Sequence, residues 1–212
     1  MKPRLNVEET NLERSHRLRK LNNSIAAEFY RLEANNLLRQ IIIDNTNLIY
    51  FVSNVGDVYT MSIYGMIKKP KLQLNKKTGY YFINILDNSS RKNNGTLKNR
   101  TMLVHRLVAY AWHCDGQYRD RSLSFDMVIN HKDKNRLNND YNNLELIPQF
   151  ENILHGSNIK YSYVNKVGNR FSVVFKQKYF GTFATAEIAS KALKKYLIEN
   201  NIVIPKYAKF AE

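Results

Sequence analysis

The chain has 212 residues, length for about one medium domain or two to three small ones, and its 33 Lys and Arg against 18 Asp and Glu give a formal charge of +15 and a pI near 9.8. That balance fits a polyanionic partner, DNA or RNA, while apolar runs of only a few residues exclude a helix spanning a bilayer, which needs roughly 20. The single cysteine, Cys114, excludes an intramolecular disulfide and a cysteine-built metal cluster.

Glu8, Glu9 and Glu13 speak against an acid-poor transit peptide, and heavy use of Asn, Lys, Ile and Tyr suits an AT-rich genome such as that of a phage or organelle. The expected setting is intracellular: the cytoplasm of a phage-infected host or an organelle matrix. The charge is uneven. Residues 1–40 hold 8 basic and 5 acidic side chains, 41–156 hold 15 and 10, and 157–212 hold 10 and 3, so the net charges are +3, +5 and +7.

In residues 1–47 the apolar positions Ile25, Phe29, Leu32, Leu37, Leu38 and Ile41 recur at near-helical spacing and predict one or two helices. These form either a bracing extension or an arm that meets DNA through Arg14, Arg17, Arg19 and Lys20. At Tyr50 the texture turns to β, and YFVSNVGDVYTM predicts two short strands around a Ser53-Asn54 turn closed by Gly56. Lys68, Lys69, Lys71, Lys76 and Lys77 follow; they either meet phosphates or face solvent.

Tyr80 to Leu86 predicts a strand, with a mobile Asn/Lys/Arg-rich loop after it. Thr101 to His113 predicts a helix, because Val104, Leu107, Val108, Ala111 and Trp112 recur at i, i+3, i+4, i+7 and i+8, with His105 and Arg106 beside that stripe. A short strand, Met127 to Ile129, then runs into His131; a polar loop, a second strand (Leu144 to Ile147) and a helix opened by Pro148 complete this part. Further on, Arg170 to Lys176 alternates, with Phe171, Val173 and Phe175 on one face and Arg170, Ser172, Val174 and Lys176 on the other. Thr185 caps a helix whose predicted apolar face is Ile188, Ala189, Ala192, Leu193, Tyr196 and Leu197. Residues 202–212 have no clear pattern.

The run FDMVINHKDKNRLNNDYNNLELIPQFENILHG, Phe125 to Gly156, resembles the ββα-metal core of HNH endonucleases, in particular the homing endonucleases of phages and mobile introns. The resemblance implies that His131 is the base that activates water. It also implies that Asn130 and Asn152 hold one Mg²⁺ or Mn²⁺, and that Asn143 orients the imidazole. Asn143 follows His131 by 12 residues, and Asn152 follows Asn143 by 9. Leu144 matches the family's Asn-Leu pair and selects Asn143 over Asn142. The family usually carries Asp or His where Asn130 stands, and two amide oxygens alone hold a hard cation weakly, so DNA phosphates would complete the shell. Asp133 is close enough in sequence to supply charge to the site, although the resemblance makes the loop acid there a turn residue. No CxxC pair flanks the core, which excludes a zinc-stapled variety.

Two flanking segments extend the resemblance. Ser53, Asn54, Gly56 and Val58 match the short module that precedes the core in many phage homing endonucleases, and the His-Arg-Leu-Val of His105 to Val108 also occurs there, with Arg106 as a phosphate contact. The strand, Gly181-Thr182-Phe183 and helix of the last segment resemble an AP2-like DNA-binding domain, which implies Arg170, Lys176 and Lys178 as groove contacts. Lys68 and Lys69 are expected phosphate contacts in the first module.

The implied fold class is α+β: a helical extension (1–47), a β-rich recognition module (48–100), a nuclease core with its preceding helix (101–156) and a three-stranded sheet plus helix (157–212). The implied activity is metal-dependent hydrolysis of double-stranded DNA, with RNA still compatible with the charge and with no membrane or small-molecule cofactor. The alternative is an inactive descendant kept as a nucleic-acid-binding or ribonucleoprotein component.

Overall fold

Helix α1 (Asn11–Ala34) is the first element of the computed structural model, which describes residues 11–117 and 127–212. The first ten residues of the expected extension, with Phe125 and Asp126, lie outside the described residues. Two units divide the rest: residues 11–117 with Ile129–Leu146, and residues 127–128 with Ile147–Glu212.

In the first unit α1 ends where Asn36 takes a left-handed φ of +56°, letting the Leu37 N–H return to the Leu32 carbonyl. The chain then leaves the helix. Leu38 and Ile41, expected on a helical stripe, instead lie in strand β1 (Leu38–Ile41). It opens an antiparallel sheet with β2 (Ile49–Ser53), β3 (Val58–Met61) and β4 (Ile67–Lys68), in the order β1-β2-β3-β4. The amphipathic stripe of α1 covers this sheet: Phe29 is fully buried against Tyr59 and Ile67 and meets the Phe51 ring edge-on at 4.9 Å. Burial of one such ring is worth about 1.5–3 kcal/mol.

A second antiparallel sheet has the order β5-β6-β7, from β5 (Gln73–Asn75), β6 (Tyr80–Arg91) and β7 (Leu97–Leu103). The Asn/Lys/Arg-rich segment expected to be a mobile loop is therefore strand up to Arg91. Arg91 pairs with Leu97 across a tight Lys92-to-Thr96 turn, and Arg100 ties the ribbon down by donating to the Asp44 carbonyl at 2.8 Å. Thr101, Met102 and Leu103 also belong to β7, pairing with Asn84, Ile83 and Phe82, so helix α2 (Val104–Trp112) begins at the first periodic residue, three residues after the expected Thr101 start. Val104, Leu107, Val108 and Ala111 are buried as expected, and so are His105, Ala109 and Tyr110.

Strands β8 (Met127–His131) and β9 (Leu144–Pro148) pair with each other, and helix α3 (Gln149–Gly156) follows with Pro148 as its N-cap. In the second unit β10 (Val164–Val167), β11 (Arg170–Phe175) and β12 (Lys178–Phe183) form a meander packed on helix α4 (Ala186–Glu199). Thr185 caps α4 by accepting the Ile188 N–H at 3.2 Å. The core unites Val173 and Phe175 with Ala189, Leu193 and Leu197. Ile188, expected on that face, is exposed, while Ser190 is buried and accepts the Ala211 N–H at 2.9 Å. The unassigned tail is thus part of this unit: Phe210 packs on its core and Lys209 bonds Ser162 and Ser157. Helices and small antiparallel sheets together make an α+β chain. No helix among the described residues is long and apolar enough to cross a membrane.

The turn between β2 and β3 packs against the segment that joins β8 to β9. Ser53 exchanges hydrogen bonds with Asp57, and Gly56 takes φ +93°. A Cβ on Gly56 would stand 2.7 Å from the Cβ of Asn139. Gly56→Ala is therefore expected to cost about 1–3 kcal/mol from backbone strain and clash together, lowering Tm by about 2–4 °C per kcal/mol. Gly95→Ala is the control, because Gly95 has φ +81° but nothing within 4 Å; calorimetry showing equal losses would remove the Asn139 contact as the cause.

Candidate active site

The loop from Lys132 to Asn143 is built almost wholly from side chains folding back on their own backbone. Asp133 is its hub: its carboxylate accepts from the Asn135 N–H (2.8 Å), Asn138 Nδ2 (2.7 Å) and Asn143 Nδ2 (2.9 Å). Those bonds hold its pKa below the ordinary carboxylate value, the Asn138 amide most of all. Asn135, Asn138 and Asp140 each accept the N–H two residues on, which is the asparagine turn at its most repetitive. Asp133 is the turn residue it was expected to be.

Asn143 closes the loop. Its Oδ1 accepts the Asp133 N–H at 3.1 Å, its Nδ2 reaches Asp133 and the Asn138 carbonyl at 2.9 Å each, and its own carbonyl accepts the Lys132 N–H at 2.9 Å. The side-chain hydrogen bonds of Asn143, expected to orient the His131 imidazole, are made to Asp133 and Asn138 and not to the ring. Its hydrogen bonds go to the loop, so it sets where His131 stands through the backbone next to it.

The rest of the first unit grips this loop from three sides. The Tyr141 N–H donates to the Asn54 carbonyl at 2.8 Å, its ring stacks on Trp112 at 5.0 Å, and His113 Nε2 donates to its carbonyl at 2.7 Å. Arg136 donates to the Thr78 carbonyl at 2.8 Å and lies over the Tyr80 ring at 5.1 Å. Gly56 closes against Asn139 as described above.

His131 ends β8, buried in a cluster with Tyr80 (ring centroids 5.9 Å) and His105 (5.3 Å), while Tyr80 and His105 are 4.5 Å apart. Burial is the largest influence on the His131 pKa and pushes it below the ordinary value. The Asn139 amide and the Asp133 carboxylate act the other way, and Arg136 acts with burial. His105 falls further, to about 3, through burial and the charges of His131 and Arg106. Both imidazoles are therefore neutral at pH 7. His131 Nε2, His105 Nδ1 and Asn139 Oδ1 are all buried with no hydrogen-bond partner, an arrangement native proteins seldom keep without a reason.

Asn130 is buried next to His131, and its Nδ2 donates to Glu145 Oε1 at 2.8 Å. That bond fixes which end of the amide is nitrogen. No group of three His, Cys, Asp or Glu side chains able to hold a metal occurs among the described residues. An amide oxygen with a neighbouring carboxylate suits a hard cation that keeps waters or substrate oxygens in most of its shell, as Mg²⁺ does. Asn152 is half-buried on α3, in the second unit.

The expected phosphate contacts divide. Lys68 is exposed on β4. Lys69 is instead a structural bolt: its ammonium lies 3.1 Å from both Glu28 and Asp57, and these partners raise its pKa well above normal against the opposing effect of burial. Arg106 is half-buried, with its guanidinium 6.0 Å from the Tyr110 ring centre. Arg170 is exposed and reaches the Thr182 carbonyl at 3.3 Å. Lys176, expected on the outer strand face, sits in the two-residue turn before β12, where it and Gln177 take φ +46° and +66°. Lys178 is on the helix side of the sheet: it lies opposite buried Phe175, and its Nζ donates to the Tyr196 hydroxyl at 3.0 Å. The exposed face carries Val174 and Tyr179, paired with each other.

Tyr80, Asn139 and Glu145 are the site neighbours that the sequence did not single out. Glu145 had a usable signal, since alternation from buried Leu144 turns it to the opposite face of β9. Tyr80 and Asn139 had none. No family model matches the chain, and no curated protein does. A solved structure on DNA binding and cleavage by the HNH homing endonuclease I-HmuI is similar at 25% identity, covering 76% of this chain and 90% of that one, with a TM-score of 0.37.

Proposed function

We propose that this chain is an HNH-type DNA endonuclease in which His131 is the general base. The carrying observation is the His131 ring: buried, held neutral by its surroundings, its Nε2 enclosed with no hydrogen-bond partner, at the end of a strand whose following loop is rigidly braced. A neutral imidazole accepts a proton from water, and a fixed backbone sets the direction of that transfer. Asn143 and Asp133 act as positioning residues through the loop, and Tyr80 and His105 keep the ring dry on one side.

Asn130 would take part in holding the divalent cation, Mg²⁺ or Mn²⁺, and Glu145 adds the negative charge that an amide oxygen lacks. The cation, when bound, neutralises charge developing on the scissile phosphate. Arg106 and Lys68 would meet the DNA backbone, together with Arg170 and the Lys176 turn, in keeping with the +15 charge. Such a protein works where DNA is, inside the cell. The rival reading, a nucleic-acid binder without cleavage, draws on the lack of a three-residue His/Cys/Asp/Glu cluster among the described residues.

Supercoiled plasmid incubated with the protein separates the two. Nicked or linear product with Mg²⁺ and none in EDTA supports the endonuclease, and binding without product under all divalent ions supports the rival. Asn143→Ala removes three side-chain hydrogen bonds from the loop. The expected result is a loss of about 1–3 kcal/mol in stability and slower cleavage at unchanged DNA affinity. Full cleavage by a correctly folded Asn143→Ala protein would show that loop bracing does not set the base.

Arg170→Ala and Lys176→Ala should each flatten the plot of log affinity against log salt by about 0.9. Lys178→Ala should leave that slope alone, because its ammonium is spent on Tyr196 and the Phe180 ring. A flatter slope for Lys178→Ala would place DNA on the helix side of this sheet.

A further inference from the structure

We infer that the turn joining β3 to β4, Ser62 to Met66, is a wedge that enters the minor groove of bound duplex and unstacks a base step. The inference rests on the DNA-binding reading above and adds a mode of recognition to it.

At the base of this hairpin Met61 pairs with Ile67, and Ile67 is buried against Phe29 and Tyr59. Beyond that pair the chain projects Ile63, Tyr64 and Met66 at 77%, 89% and 55% exposure. The tip is nevertheless ordered by its own hydrogen bonds: Ser62 N–H to the Met66 carbonyl (3.0 Å), Gly65 N–H to the Ser62 carbonyl (2.9 Å) and Met66 N–H to Ser62 Oγ (3.1 Å). Gly65 supplies the left-handed φ of +75° that the turn requires. Three large apolar side chains are thus held out from the surface on a preformed support.

The chain does not build every hairpin tip this way. The turn between β6 and β7, in the same unit, is Lys92-Asn93-Asn94-Gly95, polar throughout. Apolar residues at an exposed turn need a partner that covers them, and the flanking charge identifies its chemistry. From Val58 to Leu86 there are five lysines and no Asp or Glu. Lys69 is held in its ion pairs, while Lys68, Lys71, Lys76 and Lys77 are exposed.

An apolar tip with an acid-free, lysine-rich border fits a polyanion with an apolar interior, which is what stacked base pairs between two phosphate backbones are. Ile and Met are among the side chains that wedge between base steps, kinking the duplex by about 20–90°. Tyr64 adds a ring on which an exposed base can stack.

Permanganate oxidation of unstacked thymines tests this on the full-length protein with an AT-rich duplex in EDTA, so that no cleavage intervenes. The expected result is new thymine reactivity at saturating wild-type protein, lost to the level of free DNA with Ile63→Ser/Tyr64→Ser. That variant should keep the wild-type Tm, since neither side chain enters a core. Lys68→Ala/Lys71→Ala should weaken binding yet keep the reactivity once the duplex is saturated. Saturated wild-type complexes without new reactivity would overturn the wedge and leave DNA binding standing, as would full reactivity in the serine variant. A wild-type protein that binds no duplex at low salt would overturn both. Loss of self-association in the serine variant, with reactivity unchanged, would assign the tip to a second copy of the chain instead.

Discussion

The reciprocal bonding of Asp133 and Asn143 is the interaction on which the rest of the site depends. A short hairpin of two strands has too little apolar surface to fix its own geometry, and a 12-residue connection between them would ordinarily move. Here the Asp133 carboxylate takes three donors and Asn143 bonds in both directions across the base of the loop. A loop that is mostly polar is thereby ordered without a core. His131 stands directly before that clamp, so its backbone inherits the loop's rigidity.

The surroundings of His131 then set its chemistry. The ring lies among Tyr80, His105 and Asn139, where burial disfavours the charged form. Each of these neighbours comes from a different element of the first unit: Tyr80 opens β6, His105 lies in the first turn of α2, and Asn139 rests on the Gly56 turn. The β-rich segment that precedes the core is accordingly part of the site's wall. Loss of stability there would reach the histidine even without a change in the core itself.

How far the sequence could be read follows from which interactions are local. The cap at Thr185 and the β8–loop–β9–α3 order rest on short-range patterns and appear as expected, whereas the alternation expected around Val173 breaks at a register shift that leaves Ser172 buried. The errors lie where long-range pairing overrides a local signal. Leu38 and Ile41 share the spacing of α1, but Asn36 ends the helix and β2 recruits them as a strand. Thr101 to Leu103 read as the start of the following helix but pair with β6, and an asparagine-rich stretch that looks like a loop is held as a ribbon by the same pairing.

The site divided in the same way. The strand-end position of Asn130 and His131 is legible in the sequence, whereas Tyr80 and Asn139 become neighbours of the His131 ring only through the tertiary fold. Lys178 was misplaced because the tight Lys176-Gln177 turn puts it opposite Phe175, on the face that meets α4. With 27 asparagines in the chain, residue type alone could not separate Asn143, which braces the loop, from a group that touches the ring.

The most direct test of the central claim compares wild type with His131→Ala on the same plasmid in Mg²⁺, at protein concentrations giving equal DNA occupancy. If His131 is the base, cleavage falls by about 10²–10⁴-fold while DNA affinity stays the same, because the ring acts on water and makes no backbone contact. Equal cleavage rates at equal occupancy would contradict the account and move the chemistry away from this hairpin.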